Sequence, residues 1–149
     1  MFIVTLIRVG NTKASDLRSV EDDFTKRLSA FCSFKTETVT PSDKSDKKCE
    51  GAVILKKIKE DDFVVLLDEL GREYTSEDFA KFTGSRRDHG DKLVFIIGGA
   101  YGVSDEVKKR ANSIIAISKM TFPHQLVRLI FLEQLYRAFT ILKGMKYHH

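Results

Sequence analysis

The chain has 149 residues, 42% hydrophobic and 31% charged, which suits one globular domain with a core and excludes a disordered chain. No run approaches the roughly eighteen apolar residues of a membrane span, and Cys32 and Cys49 lack CxxC or Cys/His ligand spacing, so they fit reduced thiols and predict neither a disulfide nor a metal site. A formal charge of +4 and a pI of about 9.0 lean only weakly toward a polyanionic partner.

Residues 2–8 are apolar and stop at Gly10-Asn11, which predicts a buried strand and a turn. The opening lacks a basic n-region and a small-residue cleavage site, so it does not read as a signal peptide. Ser15 or Asp16 is expected to cap a helix that carries Leu17, Val20, Phe24, Leu28 and Phe31 on one face. β-Branched residues alternate from Lys35 to Thr40, the pattern of a second strand. Residues 41–48 are polar and read as a mobile loop, followed by a helix through Ala52, Ile54, Leu55 and Ile58.

Phe63 to Leu67 is a continuous apolar run, as in a strand buried on both faces of a parallel sheet. Asp68-Glu69-Leu70-Gly71 is expected to end it. Thr75 or Ser76 caps the next helix, with Phe79 and Phe82 on its apolar side. Leu93 to Ile97 is another doubly buried strand, cut off by Gly98-Gly99-Ala100-Tyr101-Gly102. Ser104 caps a helix through Val107 and Ala111, and Ile114 to Ile117 is a last short strand. Pro123-His124 opens a long helix to about Leu142, before a tail ending in Tyr147-His148-His149.

Strands alternate with helices throughout, which predicts an α/β fold with a mostly parallel sheet covered on both faces, in a single domain over 1–149. Ligands of such sheets bind beyond the carboxyl ends of the strands. Three of those ends stand out: 67–69, 98–102 and 117–123. The glycine cluster lets backbone approach a ligand closely, although the same cluster also makes a plain strand-to-helix turn. It is not GxGxxG, and no GxxxxGK[ST] occurs. No Ser/His/Asp order or HExxH spacing supports hydrolase chemistry. The basic clusters at Lys44, Lys47, Lys48, Lys56, Lys57 and Lys59, at Lys108, Lys109 and Arg110, and at Lys143 and Lys146 read as solvated faces. The last helix is apolar over more of its circumference than one sheet face needs: Val127, Phe131, Leu135, Ala138 and Leu142 are widened by Leu126, Leu129, Ile130 and Leu132. Such a helix is either central or part of a subunit interface.

Taken together, Gly98-Gly99-Ala100-Tyr101-Gly102, the run Ser118 to Arg128, Glu133-Gln134-Leu135-Tyr136-Arg137-Ala138 and the closing Tyr147-His148 resemble the ribosomal RNA large subunit methyltransferase H family, within the SPOUT methyltransferases. The resemblance spans the whole chain. It implies a C-terminal trefoil knot, a homodimer packed through the C-terminal helices, a cytoplasmic location and S-adenosylmethionine as cofactor. It also implies methylation of N3 of a pseudouridine in 23S-type rRNA, with the assembled ribosome as partner, and no metal or membrane. By position, Leu67, Gly99 and Ser118, Lys119, Met120, Thr121, Phe122 and Pro123 fall where the family holds its cofactor. Tyr147 and His148 fall near the target base. Histidine titrates in the range of a proton acceptor, so His148 is the candidate to take the N3 proton or orient the base, with Tyr147 stacking on or hydrogen-bonding it and Arg137 as an electrostatic partner; the alternative is that the tail only closes over the substrate. Lys146 stands where the family commonly has Pro, and Phe24 where it commonly has Tyr. A SPOUT methyltransferase of another RNA, or a ribosome-binding module without activity, is the alternative.

Overall fold

The computed structural model describes residues 1–41 and 46–149. Among the described residues, five strands form one sheet in the order β2-β1-β4-β3-β5: β1 (Ile3–Val9), β2 (Ser33–Val39), β3 (Asp62–Glu73), β4 (Lys92–Ile97) and β5 (Ser113–Ala116). Every pairing is parallel, as the alternation of elements predicts. The three inner strands carry the apolar runs because both of their faces are covered. The helices are α1 (Ser15–Leu28), α2 (Lys47–Lys56), α3 (Ser76–Asp88), α4 (Asp105–Arg110) and α5 (His124–Leu142).

Two apolar layers sandwich the sheet. On one face, Leu6, Phe95 and Val65 pack with residues of α1, α3 and α5. On the other, Ile7, Val64 and Ile96 pack with Ile54 of α2 and Val107 of α4. The α5 helix packs against both α1 and α3. Its rings lock into the core: Phe131 lies 4.7 Å from Phe95 between centroids, and Phe139 stacks on Phe31 at 5.5 Å. Cys32 is buried and Cys49 exposed. Burial pushes the Cys32 thiol up to about 12, so it behaves as a small core residue and not as a nucleophile.

Caps follow the sequence in two places and depart from it in one. Thr75 accepts a hydrogen bond from the Asp78 amide (3.1 Å), and Ser104 accepts one from the Val107 amide (3.4 Å). Neither Ser15 nor Asp16 caps α1. The residue before that helix is Ala14, which has no side-chain acceptor to offer. Instead the Gln125 Oε1 atom, from the start of α5, accepts from the amides of Lys13 (3.1 Å) and Ala14 (3.5 Å). The α1 face also differs from the periodicity. Val20 is exposed, Phe31 lies beyond the helix end, and Glu21 is buried. Of the loop expected over 41–48, residues 42–45 lie outside the described residues, while Lys47 and Lys48 belong to α2.

Glu21 is buried because it has partners. Its carboxylate takes the Thr12 hydroxyl (2.7 Å) and an ion pair with Arg8 (3.2 Å). Arg128 completes the cluster. It is wholly buried, it donates to the Val9 carbonyl and to the Thr12 hydroxyl, and its Nε finds no partner among the described residues. Burial, then repulsion from Arg8, lowers its pKa to about 10, with Glu21 opposing, so the guanidinium stays charged at neutral pH. The cluster pins the carboxyl end of β1 to the first turns of α5. Arg128→Ala is expected to cost about 3 kcal/mol of stability, because it strips the Val9 carbonyl and Thr12 of their buried donor and removes one of the two positive charges beside Glu21. Urea unfolding measures this, and a midpoint within error of the parent protein would contradict it.

Candidate functional site

The strand ends meet at one cavity of about 560 Å³, within the range of small-molecule sites. Three segments build it, and each gets there for a local reason. The first is the end of the apolar run of β3. The sequence predicts that this strand ends at Leu67, but β3 continues to Glu73 with a shift in register: Leu67 and Arg72 both pair with Ile115. Residues 68–71 therefore bulge out of the ladder, and the Asp68 carboxylate holds the bulge by accepting from the Leu70 amide (2.9 Å). Gly71 is required at its far end, since a Cβ there would sit 2.7 Å from the Ile114 backbone. The excursion delivers Asp68 and Glu69 to the cavity wall.

The second segment is the glycine turn after β4. Gly99 and Gly102 form an isolated antiparallel bridge, with the Gly102 amide donating to the Gly99 carbonyl (3.1 Å). Positive φ falls at Gly102 (79°) and not at Gly99. Gly98 and Gly99 are there for close packing. A Cβ on Gly98 would lie 2.8 Å from Val103 Cγ1 and 3.2 Å from the Gly102 backbone, and one on Gly99 would lie 3.3 Å from Val9 Cγ1.

The third segment joins β5 to α5. The Ser118 hydroxyl accepts from the Met120 amide (3.0 Å), and the Thr121 hydroxyl donates to Glu69 Oε2 (2.6 Å). This segment is thus tied to the bulge of β3.

Of the residues expected to hold the cofactor, Leu67, Gly99, Ser118, Met120, Thr121, Phe122 and Pro123 line this cavity. Lys119 does not. Its side chain is 79% exposed, with Nζ 3.8 Å from Glu73. Ile117, from a strand end that the sequence singles out, adds apolar lining; sequence reasoning missed Val103 and Val127, which add more, and His124, which it read only as part of a helix start. Burial first, then the charges of Arg128 and Lys13, holds the His124 imidazole below its ordinary range, so the ring is neutral at neutral pH. The spacing of the helix start gives no sign that His124 reaches a cavity wall.

Arg137, Tyr147 and His148 are brought together, but elsewhere. Arg137 contacts His148 Nδ1 (3.1 Å), pairs with Glu133 (2.5 Å) and lies 4.9 Å over the Tyr147 ring. Tyr147 donates to Glu133 Oε1 (3.2 Å) and meets Tyr136 edge-on at 4.9 Å. Burial, then Glu133, raises its pKa and keeps the phenol protonated. His148 Nε2 lies 2.8 Å from Glu77 Oε1, and that hydrogen bond is the chief reason the Glu77 carboxyl sits below its ordinary range. A guanidinium can only donate, so Nδ1 accepts and Nε2–H donates to Glu77. Both ring nitrogens are occupied. None of the three residues lines the cavity. Arg137 is ten residues along α5 from Val127, or roughly 15 Å at the rise of an α-helix.

Among the described residues, no group of three or more His, Cys, Asp or Glu could hold a metal ion, and no helix is long and apolar enough to cross a membrane. The family model described as "Predicted SPOUT methyltransferase" matches residues 2–148. Several proteins named "Ribosomal RNA large subunit methyltransferase H" are similar over nearly their whole length. That of Christiangramia forsetii is 45% identical and that of Flavobacterium psychrophilum 44%, each alignment covering 98% of both chains. That of Caldicellulosiruptor saccharolyticus is 39% identical, over 98% of this chain and 99% of the relative. The chain belongs to the SPOUT methyltransferases, in the family of ribosomal RNA large subunit methyltransferase H.

Proposed function

We propose that this chain methylates N3 of a pseudouridine in large-subunit ribosomal RNA on the assembled ribosome, in the cytoplasm, with S-adenosylmethionine as donor. The observation that carries the reading is the cavity at the three strand ends. Leu67, Ile97, Ile117 and Val127 give it apolar lining suited to an adenine ring, and the glycine turn and 118–123 line it too, with backbone amides and carbonyls to offer to the ring's edge. Asp68 and Glu69 bring negative charge to the same cavity, complementary to the cofactor's sulfonium and ammonium groups. Bound there, S-adenosylmethionine supplies an electrophilic methyl group. The family's trefoil knot belongs to the same reading. Its support is that β5 lies at the sheet edge, yet the chain after it crosses the β3 bulge at Glu69 to share a cavity with the turn after β4. Mass spectrometry of rRNA from cells lacking this protein is expected to show one methylpseudouridine missing from the large subunit. An unchanged modification map would refute the proposed substrate.

The distance between the cavity and the Tyr147-His148 tail calls for a second copy. A homodimer packed through α5 brings one protomer's tail to the other's cavity, and α5 has the surface for it. Leu126 is 37% exposed, and Leu129 and Ile130 follow it at helical spacing, each half-buried. Ile130 also lines an apolar groove with Tyr74 and Ile117. Sedimentation at micromolar concentration is expected to give a dimer, and Leu129→Glu a monomer. A monomeric parent protein would overturn this assembly.

In such a dimer Arg137 favours the anionic form of the target base, Tyr147 stacks on it or hydrogen-bonds it, and His148 orients it. With Nδ1 held by Arg137, His148 has only its Nε2–H to offer once Glu77 is displaced. With a charge of +4 each protomer makes few phosphate contacts, so binding relies on the shape of the folded ribosome. Whole ribosomes are expected to be methylated far faster than a short stem-loop of the same sequence. Equal turnover would contradict this.

A further inference from the structure

The positive charge of the chain is concentrated on one helix. With its C-cap Lys57, α2 carries Lys47, Lys48, Lys56 and Lys57 against Glu50, a net +3 of the whole chain's +4. Among the described residues, the other helices each lie between −1 and +1.

The charges on α2 are ordered. Gly51 and Ile54 face inward: Ile54 joins the core, and a Cβ on Gly51 would collide with the Ser104 side chain. Lys48, Ala52 and Lys56 follow one another at spacings of four on the exposed side, so they form one line with no acid in it. Lys48 and Lys56 stand about 12 Å apart at the rise of an α-helix. Among the described residues, neither is in an ion pair. Lys57 differs, since it shares Glu37 with Lys35. Exposed, unneutralised ammonium groups in a row suit the phosphates of a nucleic acid. A membrane surface fits less well, because α2 turns Ile54 into the core and keeps no apolar stripe for lipid.

The fold also sets where this line points. Lys47, at the start of α2, lines a cavity of about 270 Å³ with Lys13, Gly99 and Gly102. The same two glycines line the candidate cofactor cavity. The basic helix therefore starts beside the candidate site and runs away from it. It packs in the apolar layer of Ile7, Val64 and Ile96, on the sheet face opposite α1, α3 and α5. A dimer built through α5 leaves it uncovered.

We propose that the exposed face of α2, led by Lys48 and Lys56, is the surface along which the sugar–phosphate backbone of the rRNA lies next to the target nucleotide. The inference rests on the methyltransferase reading above, and it locates the few phosphate contacts that so modest a charge can make. Such contacts hold the RNA in register and do not read its sequence. Selection of the target stays with the site and with the shape of the ribosome.

The test uses the full-length protein and ribosomes from cells that lack it. Lys48→Gln, Lys56→Gln removes two charges from α2. Lys26→Gln, Lys81→Gln removes two from exposed positions on α1 and α3. Glutamine forms helices as well as lysine does, so both proteins fold. The α2 variant is expected to bind ribosomes about tenfold more weakly, with the slope of log affinity against log salt reduced by about 1.5. Its kcat at saturating ribosomes and its affinity for S-adenosylhomocysteine should match the parent protein. The α1 and α3 variant should match the parent protein throughout. Parent affinity and slope in the α2 variant, or an equal loss in both variants, would overturn the surface. Ribosome binding that depends on α2 in a protein that methylates no rRNA would uphold the surface and refute the methyltransferase reading instead.

Discussion

Gly98→Val is expected to lower the affinity for S-adenosylmethionine by at least about 100-fold, or roughly 2.7 kcal/mol. The loss comes from packing and not from backbone strain, since Gly98 does not have a positive φ. A Cβ there would lie 2.8 Å from Val103 Cγ1 and 3.2 Å from the Gly102 carbonyl carbon, distances that force the turn to move. The branch of valine adds two more methyl groups at that point. Because the turn lines the candidate cofactor cavity and also carries the Gly99–Gly102 bridge, its displacement deforms the cavity directly. Gly99→Val is expected to act in the same direction through Val9, at a Cβ distance of 3.3 Å. Gly90 is the control, since a Cβ there meets nothing within 4 Å, although its φ of 78° carries some strain of its own. Calorimetry with S-adenosylmethionine checks the expectation, and parent affinity in a folded Gly98→Val protein would remove the turn from the site.

His148→Ala is expected to slow single-turnover methylation of ribosomes by about 100-fold to 10,000-fold, the range of well-positioned acid–base or orienting groups. The companion substitution separates two roles. His148→Gln keeps an N–H donor near the Nε2 position but has no basic nitrogen. Substantial rescue by Gln identifies an orienting donor, as the hydrogen bond to Glu77 suggests. Failure of Gln to rescue identifies a proton acceptor. Cofactor affinity should be unchanged in both, because His148 lies outside the candidate cofactor cavity. An unchanged rate in His148→Ala would exclude the tail from the chemistry and leave proximity of the reactants as the main source of rate.

Much of the fold was legible in the sequence, for physical reasons that differ by element. The inner strands β1, β3 and β4 were legible because burial on both faces demands unbroken apolar runs. The Thr75 and Ser104 caps were legible because an oxygen-bearing side chain before an acidic first turn is a local signal. The same locality failed at α1, where the amides at the start of the helix are met by Gln125 from the other end of the chain. Periodicity likewise placed Val20 inside and gave no place to Glu21, whose burial depends on Arg8 and Thr12 converging on it.

The candidate cofactor site was legible as three separate strand ends, and the family resemblance joined them. Only the tertiary structure decided how they meet. The β3 bulge at 68–71, held by Asp68 and made possible by Gly71, carries Glu69 to Thr121 across fifty-two residues of chain. It also decided what stays apart. Lys119 and the Arg137–Tyr147–His148 cluster lie outside the cavity, and His124 lies in its wall. The amino-acid sequence by itself determined the α/β class, the strand and helix order and the identity of the turn residues, because burial periodicity and capping act over a few neighbours. Which side chains share a cavity was decided by sheet order, register and the crossing of distant segments, which are long-range contacts that no local pattern encodes.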